Sequence, residues 1–431
     1  MSSFDQIIGY EQEKKELNQI ADVLKNSDIY KKLGVSSPRG LLLHGEPGVG
    51  KTLMANALIA ESGRNIFVCR KDRPNGAFVK SIKSIFAQAA EQVPSIVFLD
   101  DMDKFANGDS NHRDAEEYVT VQSCIDEYKS ADVFVLATVN NIEKLPQSLL
   151  RAGRFDRILK VSAPRGEDAL QIISHHLKKK NFMAEIDEKN IARIMNGRSC
   201  AELETVVNEA GLRAGYERAQ KITMKHFLQA CLKMIFQVSL VPTDEPCARD
   251  GRSEEERKRI AYHEAGHAVV SEILIPDSVT LVCTRGQKGR EGGFTSYYND
   301  DVDALRLRNT SIVRCLAGMA ATEQKFGVVD IGTENDLDQA FRMVGDGIVD
   351  NCSCGFRFHS INYSSSEDLR AEREQAAPCE MERYYRKAKE ILACNNVFFE
   401  KVAQALLKKD LLTMADLKEL KKGCALVSVA I

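Results

Sequence analysis

Two short stretches carry residue types whose spacing can do chemistry. In AYHEAGHAVV, residues 261–270, His263 and His267 stand four apart and Glu264 follows the first. On a helix such positions lie about 40° apart around the axis and one turn apart along it, so both imidazoles project from one face. Two imidazoles so placed can grip one zinc ion, and Glu264, on the flank of that face, can take a proton from a water on the metal. Ala265 and Gly266 between them are small enough to admit a substrate or a packed helix. A catalytic zinc takes a third protein ligand and leaves a fourth position for water. Asp330, Glu334, Asp336, Asp338, Asp346, Asp350 and His359 all follow downstream, and spacing alone does not choose among them. Asp336 read by itself also suits a helix N-cap, because TENDLDQAF begins a helical pattern.

The second stretch is GLLLHGEPGVGKT, a strand pattern running into Gly45, Glu46, Pro47, Gly48, Val49, Gly50, Lys51 and Thr52, with Leu53 opening an apolar helix. G-x-x-x-x-G-K-T between a strand and a helix is a phosphate-binding loop. Its backbone N–H groups turn inward around the phosphates of ATP, Lys51 reaches the outer ones and Thr52 ligates Mg2+. SIVFLDDMD then supplies a strand ending in Asp100 and Asp101, the first placed to hold magnesium and the second to polarise the attacking water. A further strand, VFVLATVNN, ends in Asn140, suited to position that water. LLRAGRFDR brings Arg151, Arg154 and Arg157 close together; phosphoryl transfer needs cations at the γ-phosphate, and a neighbouring subunit can supply them.

These groups need a scaffold. GLLLHG, NIFVC, SIVFLD, VFVLATV and RILKVSA read as buried strands separated by amphipathic stretches such as KSIKSIFAQAAEQV, which predicts an α/β domain over 1–162 with a parallel sheet covered on both faces. From APRGEDALQIISHHL the pattern is helix after helix, a helical lid over 163–238, in which His175 and His176 face different ways and read as lid packing or exposed. Residues 239–252 are polar and read as a linker, and 253–431 as a mainly helical domain interrupted by the strand-like SVTLVCTRG and GGFTSYY. The chain of 431 residues is long enough for several cores. With 59 basic against 62 acidic residues, a net charge of −3 calls for neither nucleic acid nor an anionic membrane. Twelve scattered cysteines without a C-x-x-C pair, and a start MSSFDQIIGY that is no secretory leader, predict reduced thiols in a cytoplasm. No apolar run approaches the ~18–20 residues of a membrane span.

The order of these motifs resembles the AAA+ ATPases, and FDQIIGYEQEKKELNQIADVLKNSDIYKKLGVSSPRGLLLHGEPGVGKT resembles the FtsH family of ATP-dependent zinc metalloproteases. The resemblance runs from about Phe4 to AQALLKKDLLTMADLKEL. It implies a nucleotide site on Lys51 and Thr52, the acidic pair Asp100 and Asp101, Asn140 as polar sensor, and Arg154 and Arg157 as fingers acting across the interface of a homohexamer. GRSCAELETVVNEAGLRA resembles the family's second sensing region. TSIVRCLAGMAATEQKFG followed by IGTENDLDQAF resembles the segment carrying an aspartate ligand, which falls on Asp336, and EGGFTSYY the strand along which an extended substrate adds. The implied reaction is hydrolysis of polypeptides, with Glu264 taking a proton from the zinc-bound water and passing it to the leaving amine.

Four departures qualify the match. Family members usually begin with membrane helices, and this chain starts at the ATPase domain, as a soluble member or a trimmed one would. Asp101 stands where glutamate is usual, one methylene shorter, which predicts slow hydrolysis. Glu46 replaces a proline, placing a charge near a negative ligand. In the segment aligned with the substrate-gripping pore loop, Pro74, Asn75 and Gly76 replace an aromatic-apolar-glycine pattern, leaving Phe78 as the candidate gripping group. Two further readings follow: a remodelling or chaperone ATPase with a structural peptidase domain, and a zinc peptidase of unfolded peptides in which nucleotide serves mainly to assemble the ring.

Overall fold

Alternation of fully apolar strands with amphipathic helices produces the expected parallel sheet. The structure is a computed structural model describing residues 2–72, 75–106, 115–151, 153–181, 184–238, 251–286, 292–298, 304–329, 334–355, 358 and 367–431. The chain divides into two compact units, Met1–Asn181 with Met195–Asn208, and Phe182–Ile194 with Glu209–Ile431. Asp330, His359, Pro74 and nearly all of the 239–252 linker lie outside the described residues, as does the side chain of Asn75.

The first unit opens with helices α1 (Glu11–Lys25) and α2 (Ser27–Lys32). It then alternates β1 (Gly40–His44), α3 (Lys51–Ser62), β2 (Asn65–Cys69), α4 (Asn75–Glu91), β3 (Ser95–Leu99), α5 (Glu116–Glu127), β4 (Val133–Val139) and β5 (Arg157–Lys160), and closes with α6 (Gly166–Lys178). The five strands are parallel in the order β2-β3-β4-β1-β5. β1 and β3 therefore flank β4, and the chain leaving all three at their carboxyl ends carries the phosphate loop, the acidic pair and Asn140. Ligands of open α/β sheets bind at that edge. Leu42, Val97, Val135, Phe78, Ile82 and Phe86 form one apolar core between sheet and helices.

Phe78 corrects an expectation. It falls at the same helical phase of α4 as Ile82 and Phe86, all three are buried, and its ring packs edge-on against Phe105 with centroids 4.9 Å apart. Helical periodicity turns it into the core, so it is no gripping group.

After α6 come α7 (Glu188–Ile194), α8 (Cys200–Tyr216), which begins in the first unit and ends in the second, and α9 (Met224–Met234). The second unit continues with α10 (Glu254–Leu274), β6 (Val279–Cys283), β7 (Phe294–Tyr297), α11 (Ala304–Phe326), α12 (Glu334–Val349), α13 (Glu367–Cys394), α14 (Asn396–Lys408), β8 (Leu411–Thr413) and α15 (Met414–Lys421). α10 starts at a capping box: Ser253 Oγ accepts from the Glu256 N–H, and the Glu256 carboxylate accepts from the Ser253 N–H at 2.7 Å. Its first turn is acidic and its middle is apolar and buried, which sinks the HEAGH turn into the helical core. The three short strands form an antiparallel sheet in the order β7-β6-β8; β8, only three residues long, has no clear sequence signal. Among the described residues no helix is long and apolar enough to cross a membrane.

Candidate active site

In the first unit, the phosphate loop is bent as its glycines allow. Gly50 caps α3 at φ 99°, a left-handed conformation that L side chains avoid, and a Cβ on Gly45 would lie 1.9 Å from the Val161 carbonyl oxygen. The buried Lys51 ammonium donates to the Gly45 and Glu46 carbonyls at 2.7 and 2.8 Å and to Asn140 Oδ1 at 2.9 Å. Burial lowers its pKa, against the pull of Asp101, Asp103 and Asp100. Asn140 in turn donates through Nδ2 to Asp101 Oδ1 at 3.3 Å, so a single amide bridges the loop lysine and Asp101.

The two acids differ. Asp100 is buried; its Oδ1 accepts from Thr138 Oγ1 at 2.7 Å and its Oδ2 from Arg70 Nε at 2.7 Å. Asp101 sits at φ 52°, its N–H donating to the same Thr138 hydroxyl and its carboxylate pairing with Lys104 at 2.6 Å. Thr138 and Arg70 were not singled out in the sequence. The threonine is one position in an apolar strand, and the arginine precedes a loop of unrelated pattern.

A cavity of ≈ 690 Å³ opens over the loop, walled by Ile7, Tyr10, Lys51, Asn140, His176 and Cys200 among others. That volume suits a nucleotide, and Lys51 and Thr52 in its wall are the residue types that hold phosphates and Mg2+. His175 also lines it, and burial lowers the pKa of both histidines. Pro47, Gly48, Val49, Thr52, Leu53 and Asp101 are in the wall as well, whereas the exposed Glu46 side chain is not. Arg154 and Arg157 do not reach this cavity. Arg154 is tied to Asp126 at 2.7 Å and to the Ser148 carbonyl, and Arg157 stands exposed on β5.

In the second unit, the imidazoles of His263 and His267 and the carboxylate of Asp336 converge. His267 Nε2 is 3.0 Å from His263 Nε2, and Asp336 Oδ2 is 3.3 Å from each. Bonds of about 2.0–2.1 Å arranged tetrahedrally set ligand atoms about 3.3 Å apart, so the spacing fits one zinc ion. No other described cluster of His, Cys, Asp or Glu meets such a spacing. Asp336 is the third residue of α12, inside the first turn, and its side chain turns to the histidines instead of capping the helix. His267 Nδ1 lies 2.7 Å from the Arg314 carbonyl, which can only accept; Nδ1 therefore carries a proton, and Nε2 faces the other two ligands.

The field at this centre favours a cation. Burial by itself would lower His267, but Asp336 beside it raises it to about 9. Burial by itself would raise Asp336, but the two histidines hold it well below the usual carboxylate range. Glu264 is buried next to the ligands; desolvation raises its pKa, against His267, His263 and the Thr295 hydroxyl. Glycines allow the crowding. A Cβ on Gly266 would meet the Ala317 carbonyl and the Ala321 methyl at 2.5 Å, and one on Gly318 would lie 2.3 Å from His263 Cε1. These close approaches bring α11 against α10 and seat the imidazole.

Family models match the stretches of chain in which these residues lie. The ATPase family associated with various cellular activities (AAA) matches residues 41–163, the AAA+ lid domain 185–229 and peptidase family M41 residues 251–420. The chain is 30% identical over 439 residues to ATP-dependent zinc metalloprotease FtsH 2 of Sphaerobacter thermophilus, covering 97% of this chain and 66% of that protein. It is 31% identical over 462 residues to ATP-dependent zinc metalloprotease FtsH of Caldicellulosiruptor bescii, covering 97% of this chain and 72% of the relative. The chain belongs to the FtsH family.

Its AAA ATPase module, lid and M41 metallopeptidase module follow one another in that order. A third FtsH relative, from Mycoplasma pneumoniae, is 30% identical and is covered to 61% of its length. The chain thus spans about two thirds of the length of these FtsH proteins. Arg314, Gly318 and Thr295 surround this cluster; the stretches that hold them resemble family segments, but the residues themselves were not singled out in the sequence. Arg314 acts through a carbonyl that any residue has, and the other two carry no signal until α10, α11 and β7 are packed.

Proposed function

We propose that this chain is an ATP-dependent zinc metalloendopeptidase that unfolds and degrades polypeptides as a homohexamer. The observation supporting it most directly is the convergence of three metal-ligating atoms at 3.0–3.3 Å with the buried Glu264 one residue from His263, in a chain whose earlier residues match an ATPase module. His263, His267 and Asp336 hold zinc, and zinc supplies Lewis acidity toward a water and toward the scissile carbonyl. Glu264 accepts the water's proton and returns it to the leaving amine.

In the ATPase module, residues Gly45 to Leu53 hold the nucleotide, and Thr52 and Asp100 face Mg2+. Asp101 and Asn140 orient the attacking water, and Arg154 and Arg157 act on a neighbouring subunit's nucleotide. The domains run 1–162, 163–238, 239–252 as linker and 253–431. Cys69, Cys124 and Cys283 are buried as free thiols, which suits a cytoplasmic setting.

The test compares wild type, Lys51→Ala and Glu264→Gln on casein and on a folded protein, with zinc measured per chain. Loss of folded-protein degradation in both variants, with zinc retained, is the expected result; undiminished degradation in Lys51→Ala would sink the coupling to ATP. The burial of Phe78 favours a second reading, cleavage of unfolded peptides with nucleotide serving ring assembly. Peptide cleavage at full rate with a non-hydrolysable nucleotide, and no attack on the folded protein, selects it.

A further inference from the structure

Strand β7 lies directly on the side chain of Glu264. A Cβ at Gly293 would sit 2.6 Å from Glu264 Cγ and 2.8 Å from Oε1, so a bare glycine is what lets the strand approach the carboxylate. Two residues on, Thr295 Oγ1 donates to Glu264 Oε2 at 2.8 Å and lies 3.4 Å from the Glu264 carbonyl oxygen. The hydroxyl thus spans the backbone and the carboxylate of one residue, which fixes the side-chain torsions between them. Thr295 is itself stiff: it is β-branched, and its backbone is paired with Val282 of β6. Glu264 is only 4% exposed, so Thr295 is one of few groups that meet its carboxylate. Among the described residues β7 pairs only with β6, leaving its outer edge open.

We propose that Thr295 is a positioning residue: its hydroxyl holds the Glu264 carboxylate toward the His263, His267 and Asp336 cluster, while Gly293 clears the space for it. This rests on the reading of Glu264 as general base. One short strand then does two jobs. Its open edge can pair with an extended substrate, and its inward face orients the group that handles the proton. Removing the hydroxyl leaves a buried carboxylate without its neutral donor, free to rotate away from the proton it must take. The loss falls on turnover, because Thr295 faces α10 and not the open edge, and because it touches none of the three ligand atoms.

The test uses the full chain, zinc-loaded, and a short fluorogenic peptide. Thr295→Val keeps the shape and removes the hydroxyl; Thr295→Ser keeps the hydroxyl. A hydrogen bond to a charged group is worth enough to lower kcat about 10- to 100-fold in Thr295→Val, with KM and zinc per chain unchanged, and Thr295→Ser should stay within about threefold of wild type. A denaturant double-mutant cycle with Glu264→Gln, read without catalysis, should give midpoint shifts that do not add. Wild-type kcat in Thr295→Val, a serine variant as poor as the valine one, additive shifts, or zinc lost in proportion to kcat would each overturn the role. If Glu264→Gln cleaves as well as wild type, or wild type cleaves no peptide, the general-base reading fails and this role with it. If only the Thr295 results fail, the general-base reading stands.

Discussion

Replacing Gly318 with alanine should strip zinc from the second unit while leaving its fold standing. The new Cβ would lie 2.3 Å from His263 Cε1, 2.5 Å from Nε2 and 2.6 Å from Nδ1. Ordinary carbon contacts begin near ~3.5 Å, so something must move by about 1 Å. Two responses compete. The helices can part, but α10 and α11 already touch at Gly266, where the space beside Ala317 and Ala321 is filled, and forcing them apart carries an overpacking cost of about 1–3 kcal/mol. Alternatively the imidazole can swing on its own torsions toward the side where it is 12% exposed. The second is cheaper, and it is what the metal cannot tolerate, since ligand distances must hold to about ±0.2 Å. Zinc affinity should fall on the order of 100-fold, the upper range for disturbing a ligand's support. The unfolding free energy in chelator should change by no more than about 1–3 kcal/mol. The assay is competition of the chelator-stripped protein against a zinc dye, beside urea unfolding with chelator present. Gly345→Ala, inside α12 with no atom within 4 Å of its Cβ, is the matched control: zinc affinity unchanged and stability raised by about 0.5–1 kcal/mol. A Gly318→Ala protein that binds zinc within about threefold of wild type would refute the packing argument.

Other outcomes follow from particular contacts. Lys51→Ala removes the ammonium that meets the Gly45 and Glu46 carbonyls and Asn140 Oδ1, so affinity for a fluorescent ATP analogue should drop on the order of 100-fold with zinc content unchanged. Arg70→Met removes the cation that occupies Asp100 Oδ2, so the magnesium concentration that half-saturates nucleotide binding should fall by roughly three- to tenfold; a rise would mean that Arg70 aids the metal. Asp416 caps α15 through Thr413: burial raises its pKa, but the Thr413 N–H and hydroxyl and Lys409 outweigh it and hold the carboxyl below its ordinary value. Its contribution is therefore present above that value and lost as pH falls through the depressed one. Asp416→Ala should cost about 1 kcal/mol in urea unfolding at pH 7, and the gap to wild type should close in acid below the ordinary aspartate value.

Local patterns made much of this chain legible. A loop that must turn its N–H groups toward phosphate needs glycines and a lysine at set intervals, and two histidines on one helical face need a spacing of four. Both requirements live within a dozen residues and survive any packing of the rest. The parallel sheet was readable from Leu41 to Leu43 and Ile96 to Leu99 for a similar reason, since strands covered on both faces are apolar throughout. Phe78 shows where local reading stopped: an aromatic residue in a divergent loop segment looked available, and the phase of α4 put it in the core.

What the sequence determined by itself was the pair of chemistries, phosphate binding and zinc ligation, because backbone geometry alone sets the spacing of their ligands. Tertiary structure decided how Asp336, far along the chain, faces His263 and His267, why Thr295 faces Glu264, and why Gly318 is empty of a side chain. Those contacts depend on how α10, α11, α12 and β7 pack, a property of shape at distances of a few ångströms that residue types and intervals do not encode.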